Sequence, residues 1–367
     1  MIVRYNYLNN EFKDTKNIFK DWKKLIKKTD FTLGSYVNRF EKRFANFIKI
    51  KNCIAVNTGT DALTLCLKAL NIKNGDEVIT TTNTFYATVG AIIAVGAKPV
   101  LVDSDDRFQI DAYKIEKRIT SKTKAVIAVH WGGGSPDIKK ILKICQKYKI
   151  EVIEDACMGI GSKIKKKFVG TFGRINAVSM HPLKSLNVMG DGGAVLTNDD
   201  KLARWLRIYR NHGMINRNKI VMWGENRRMQ PLQSIVALHG LKKLNQIIAK
   251  RNLNAKLLDT HLGKLHQNII IPKRISGNIE NFSLYMALFN NRDELIKYLN
   301  KNGVQATIHY PVPLHLQKPG KLLGYKMGDF PNSEFQAKKL LTLPVHQFLT
   351  RKDLLKIVNL INKFYAK

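Results

Sequence analysis

Between residues 50 and 200 the chain repeats one alternation: a short apolar run, then a stretch whose apolar positions recur at helical spacing. The run 53–57 predicts a strand, and residues 60–70, apolar at 63, 66, 67 and 70, predict the helix after it. Strand 77–82 leads into helix 85–96, strand 100–103 follows, and strand 125–129 precedes helix 136–148 and strand 151–154. Two further strand-like runs cover 176–180 and 193–197. Such alternation gives an α/β fold, a mostly parallel sheet with helices on both faces, three layers in all. Ligands on these sheets gather at the carboxyl ends of the strands. Those ends carry Asn57 to Thr60, Thr84 and Phe85, Asp155, and the loop that leads to Lys184.

From about residue 245 the pattern changes. A long polar helix over 245–266 is expected to bridge into a smaller α+β unit, read as strand 282–289, helix 292–302, strand 304–309 and terminal helix 352–365. The expected division is a large unit of residues 1–245, including the N-terminal segment, and a small C-terminal unit of residues 246–367. No internal repeat, low-complexity tract or flexible linker interrupts it, so the two units are expected to pack firmly.

Composition narrows the function classes without choosing among them. The 367 residues are 44% hydrophobic and 25% charged, ordinary for a globular protein. No apolar run reaches the roughly 20 residues that span a bilayer, and the first ten residues do not read as a secretory leader, so a cytoplasmic location is expected. Cys53, Cys66, Cys145 and Cys157 are scattered through apolar stretches, which predicts small core residues rather than a metal or disulfide framework. A formal charge of +34 raises the question of nucleic acid. The bases are spread along the chain, and clusters such as 163–167 lack interleaved aromatics, so no nucleic-acid partner is expected; the charge suits anionic ligands generally.

The chemistry-bearing residues sit where the strands end. Asn57-Thr58-Gly59-Thr60-Asp61 closes a strand and opens a helix, whose unpaired N–H groups suit a phosphate, or equally form an ordinary helix cap. Phe85 follows a strand end, where it could stack on a flat ring or simply fill core. Asp155 ends a buried strand and needs a partner, either a cationic ring N–H or one of the many lysines. Lys184 closes the segment 178–184 ahead of Gly190-Asp191-Gly192-Gly193. An amine and a carboxylate are the two groups that pyridoxal phosphate requires of a protein, one for a Schiff base and one for the protonated ring nitrogen. Each residue alone is weak evidence; the order of all of them is not.

Read in order, these segments resemble the DegT/DnrJ/EryC1/StrS family of sugar aminotransferases, pyridoxal-phosphate enzymes of fold type I. The likeness continues through Gly224-x-Asn226-x-Arg228, Leu232-Gln233, the run from His309-Tyr310-Pro311 to His315-x-Gln317, and Leu343-Pro344-x-His346, covering about residues 30 to 365. The resemblance implies that Lys184 carries the cofactor, Asp155 binds its ring nitrogen and Phe85 stacks on the ring. It implies phosphate binding by Gly59, Thr60 and Asp61 through backbone groups, by Ser179, and by Asn226 reaching into a neighbouring subunit, hence a homodimer with shared sites. His309, Tyr310 and His315 would lie near the sugar.

Two positions depart from the family pattern. Met158 stands where relatives carry a glutamine that bonds the cofactor's phenolic oxygen, and a thioether cannot donate that bond. Trp131 also replaces the residue expected there. The leading expectation is transfer of an amino group from L-glutamate to a keto sugar, the cofactor passing through its pyridoxamine phosphate form. That sugar is expected to be linked to a nucleotide diphosphate and to serve surface-polysaccharide or other modified-sugar synthesis. The alternatives are a non-nucleotide sugar such as an octulosonate of lipopolysaccharide, or a non-catalytic nucleic-acid-binding regulator. Dehydratases of the same family replace the cofactor lysine with histidine, and Lys184 argues against that activity.

Overall fold

The structure is a computed structural model and describes residues 2–366. Seven strands form the main sheet: β1 (Asn52–Val56), β2 (Glu77–Thr81), β3 (Lys98–Val102), β4 (Thr123–Val129), β5 (Glu151–Asp155), β6 (Ile175–Ser179) and β7 (Gly193–Thr197). They lie in the order β1-β7-β6-β5-β4-β2-β3. β7 is antiparallel to both neighbours, and the other pairings are parallel. The exception follows from the connection: β6 and β7 are joined by the Lys184 loop, whereas a parallel return needs a crossover, usually a helix. Every residue of β6 and β7 is buried, as expected where helices cover both faces. The helix Gly59–Ala69 is enclosed too, with Leu63, Leu65, Cys66 and Leu67 all buried. Truncating such a leucine to alanine costs about 2–5 kcal/mol.

The three-layer expectation therefore holds, with β1 and β4 to β6 ending on the edge that carries the candidate residues. A second, antiparallel sheet comprises β8 (Ile269–Ile270), β9 (Tyr285–Phe289) and β10 (Leu340–Leu343). Its core includes Tyr285, Phe289, Leu295, Leu299, Ile357 and Ile361. The terminal helix Arg351–Tyr365 starts at a capping box between Thr350 and Asp353.

Three expectations need correction. The bridging helix runs Pro231–Leu262 rather than 245–266, and it is not polar throughout: Ile235, Val236, Leu244, Ile248 and Leu258 are buried. Its first turns pack on the helices Lys16–Lys28 and Gly34–Ile48, which hides the solvent-facing stripe that marks a surface helix. Residues 304–309 form no strand, only bridges from Val304 to Val3 and from Thr307 to Thr342. The third concerns the N-terminus. Residues 3–5, grouped by sequence with the large unit, instead bond Gly303 and Gln305. Among the described residues no helix is long and apolar enough to cross a membrane.

A buried polar cluster fastens the helix Pro331–Lys339 onto the end of β3. Asp103 accepts the N–H groups of Ser104 and Ser333, the Ser333 hydroxyl and the Lys114 ammonium. Gln336 receives hydrogen bonds from Asn83 and Ser104. The Ser333 and Lys114 contacts hold the Asp103 carboxyl below its ordinary value, against the opposing effect of burial. Asp103→Ala is expected to lower stability by about 3 kcal/mol, because it strands several buried donors at once; the urea midpoint measures it. A depressed carboxylate stabilises above its unfolded pKa near 3.9. The wild-type advantage should therefore be full at pH 6 and vanish as pH falls through the lower folded value.

Candidate active site

The phosphate side of the site begins where β1 gives way to the Gly59–Ala69 helix. The Thr58 hydroxyl caps that helix by accepting the Asp61 N–H at 2.9 Å. The Gly59 and Thr60 N–H groups have no acceptor among the described residues and line a cavity of about 540 Å³. They sit at the positive end of the helix, a natural place for an anion. Ser179, ending β6, joins them. A Cβ at Gly59 would lie 2.6 Å from the Ser179 Cβ, and one at Gly193 only 2.2 Å from the Thr58 carbonyl oxygen. Two strand ends and a helix start are thus drawn together more closely than any side chain permits.

Asp61 does not join this cradle. Its N–H serves the cap, and its buried side chain pairs with Arg227, away from the cavity lining. The donors that face the cavity here are those of Gly59, Thr60 and Ser179.

Asp155, 5% exposed, lies on the cavity wall at the end of β5. Its Oδ2 accepts the Thr88 hydroxyl at 2.8 Å, and its Oδ1 accepts the Cys157 N–H at 3.1 Å. Thr88 in turn lies 2.7 Å from the Thr84 hydroxyl, which donates to it, since the Thr88 hydrogen is already directed at Asp155. No lysine or arginine among the described residues forms an ion pair with Asp155. The ordinary salt bridge left open by the sequence is absent among the described residues: the buried carboxylate faces the cavity with two neutral donors, and the Lys184 amine acts on it through space without a direct ion pair. That is the environment in which a ring N–H⁺ would be held.

Lys184 lines the same cavity. Burial pushes its pKa down, while Cys157 and Asp155 oppose the shift. More of the amine is therefore unprotonated, and able to attack a carbonyl, than at an exposed lysine. His181 nearby is also held below its ordinary value, by burial and by Lys184. Phe85 is 43% exposed because it faces this space rather than the core, lying 4.3 Å from Tyr86 and 6.2 Å from Tyr310 between ring centroids. Amine, carboxylate, flat ring and helix N-terminus fit pyridoxal phosphate as a donor set.

His309 and Tyr310 line the cavity where it adjoins an apolar groove of about 700 Å³. Burial and Lys184 push His309 down to about 4, so it is neutral at physiological pH, with Nδ1 3.0 Å from the Thr342 hydroxyl. His315 belongs elsewhere. It is fully buried, 3.0 Å from Glu334, with its ring edge on Phe330, because a 3₁₀ turn at Leu314–Leu316 aims it inward. Asn226 is exposed and bonded by Arg228, off its own chain's cavity. Trp131 is buried and forms the wall between cavity and groove. Met158 lines the cavity, its carbonyl fixed by Asn281 and Ser283. Cys157, expected in the core, borders the cavity instead. Sequence reasoning missed Tyr5 and Ser283 in the lining, which no local motif marks; Asp191, quoted within Gly190-Asp191-Gly192-Gly193 but given no role, lines it as well.

Comparison with known proteins identifies the family. The model of the DegT/DnrJ/EryC1/StrS aminotransferase family matches residues 13–362. The chain is 36% identical over 364 residues to a protein of Geobacillus stearothermophilus named a pleiotropic regulatory protein, covering 98% of this chain and 97% of that one. It is 34% identical over 350 residues to the dTDP-3-amino-3,6-dideoxy-alpha-D-galactopyranose transaminase of Aneurinibacillus thermoaerophilus, covering 95% of each. The crystal structure of DesV from S. venezuelae, in complex with a ketimine intermediate, superposes with a TM-score of 0.96 at 29% identity, over 100% of this chain and 99% of that one. A family match of that length, on a fold this close to a solved member's, leaves no other assignment: the chain belongs to the DegT/DnrJ/EryC1/StrS aminotransferase family and is a sugar aminotransferase.

Proposed function

We propose that this enzyme transfers the amino group of L-glutamate to a keto sugar carried on a nucleoside diphosphate, with pyridoxal phosphate as cofactor, in a homodimer with shared sites. The observation that carries the reading is the buried Asp155 carboxylate, unpaired with any described cation, in one cavity with the lowered-pKa amine of Lys184. The cofactor, when bound, supplies an electron sink for moving nitrogen between carbon atoms. Gly59, Thr60 and Ser179 would hold its phosphate, Asp155 the ring nitrogen, Phe85 one ring face and Lys184 the aldehyde carbon. Once displaced by the incoming amine, Lys184 would move the proton between substrate and cofactor carbons.

The nucleotide is suggested by the transaminase relative named for a dTDP sugar. Space agrees with it: the cavity of about 540 Å³ adjoins a groove of about 700 Å³ along Phe85, Tyr86 and Tyr310, exposed rings on which a base could stack. The dimer is suggested by Asn226, exposed beside a short hairpin region whose Ile215, Ile220, Val221 and Trp223 are also exposed. Clustered apolar surface of this kind marks an interaction site.

A visible spectrum tests the proposal. Purified protein given pyridoxal phosphate should turn yellow, and L-glutamate should bleach the band. A panel of keto sugars then separates the substrates: nucleoside-diphosphate sugars should restore the yellow form, whereas restoration by an octulosonate alone would overturn the nucleotide assignment. Absence of any yellow band in folded protein would overturn the cofactor assignment.

A further inference from the structure

We infer that the N-terminal segment acts as a strap that positions Lys184, through Tyr7 and Arg251; this rests on the reading that Lys184 carries the cofactor. The strap is anchored at its start. Val3 exchanges backbone hydrogen bonds with Gly303 and Gln305, and the Arg4 carbonyl lies 3.0 Å from the His346 Nε2. Tyr7, 6% exposed, then enters the core beside His346, at 5.1 Å between ring centroids. Its hydroxyl lies 3.3 Å from both the Leu183 and the Lys184 carbonyl oxygens, so one O–H is shared between the two peptide units that carry the lysine.

The hydroxyl is itself oriented by a charge. Arg251, 1% exposed on the Pro231–Leu262 helix, donates to the Tyr7 oxygen at 2.8 Å and to Ser185 Oγ and the Phe282 carbonyl, each at 3.3 Å. Its Nε donates to Gln347 at 3.0 Å. No carboxylate among the described residues forms a salt bridge with it. A buried guanidinium that binds only neutral acceptors is a poor device for stability. What it does achieve is geometric: one side chain fixes the strap, the lysine loop and the small unit relative to each other. With Leu183 and Lys184 pinned from the backbone, the amine can be delivered into the cavity at a fixed angle. Tyr7 and Arg251 are therefore positioning residues.

The test uses Tyr7→Phe, which keeps the ring and removes only the hydroxyl, and Ser185→Ala, a milder cut in the same network should the first variant fold poorly. Two probes are bound to each apoenzyme. Pyridoxal phosphate reports capture by the lysine; 4′-deoxypyridoxine phosphate has no aldehyde and reports only the cradle. Tyr7→Phe should slow the appearance of the yellow band about tenfold or more and move the midpoint of its pH titration, with deoxypyridoxine phosphate affinity unchanged within about twofold. Ser185→Ala should show the same pattern, more weakly. Unchanged capture and titration in both variants would overturn the proposal, as would an equal loss for both probes, which would signify general loosening. A wild type that never turns yellow would instead defeat the underlying reading of Lys184.

Discussion

Lys184→Ala is expected to abolish the yellow cofactor band and to reduce turnover by at least about a thousandfold, since on the proposed reading it removes both the covalent anchor and the group that moves the proton. The variant should nonetheless fold and be more stable than wild type in the cofactor-free state at neutral pH. The sign follows from linkage. Burial lowers the folded pKa of Lys184 below that of the unfolded chain, near 10.4. Between those two values the unfolded chain binds more protons, so wild-type stability rises with pH until the unfolded lysine also loses its proton. Below the folded pKa the full cost of burying the charge is present. Alanine carries no such cost, so the stability difference between variant and wild type should narrow as pH rises from 7 towards 10. Thermal melts of both apo proteins at several pH values, with cofactor spectra alongside, check the two halves together. An alanine variant that melted far below wild type would mean that Lys184 is structural.

What could be read beforehand was whatever the chain encodes locally. Lys184 and Asp155 end or follow strands whose apolar runs are plain in the sequence, and Phe85 follows another. What escaped depends on partners distant in the chain. His315 stands in a run that resembles a substrate loop, yet Glu334 draws it into the core. Asp61 reads as part of a phosphate-binding helix start; its carboxylate is claimed by Arg227, 166 positions later. The helix Pro231–Leu262 hides its amphipathic signal because different faces are buried along its length. Tyr5 and Tyr7 lie in a segment without periodicity, and their meaning appears only when Gln305, Arg251 and the Lys184 loop are brought beside them. Short-range pattern identifies strand ends; it carries no information about which distant side chain will complete a hydrogen bond.

Asp155→Ala should reduce kcat by about 10²–10³-fold while leaving the yellow band in place. The band requires only the lysine, whereas turnover requires that the ring nitrogen stay protonated while negative charge develops on the reacting carbon. The proposed group for that task is the wild-type carboxylate held by Thr88 and the Cys157 N–H, with no salt bridge to a described cation. Thr88→Ala, which removes one hydrogen bond to the carboxylate, should cost about tenfold in the same direction. A chemical rescue separates charge from shape. Pyridoxal phosphate methylated on its ring nitrogen is permanently cationic, and alanine at position 155 leaves room for the methyl group. That analogue should restore much of the lost turnover in Asp155→Ala and none in Lys184→Ala. Rescue of neither would show that Asp155 acts by holding the cavity wall rather than by its charge. Rescue of the first alone would support the proposal that Asp155, the one buried carboxylate on this cavity wall lacking a described salt-bridge partner, acts on a protonated ring nitrogen.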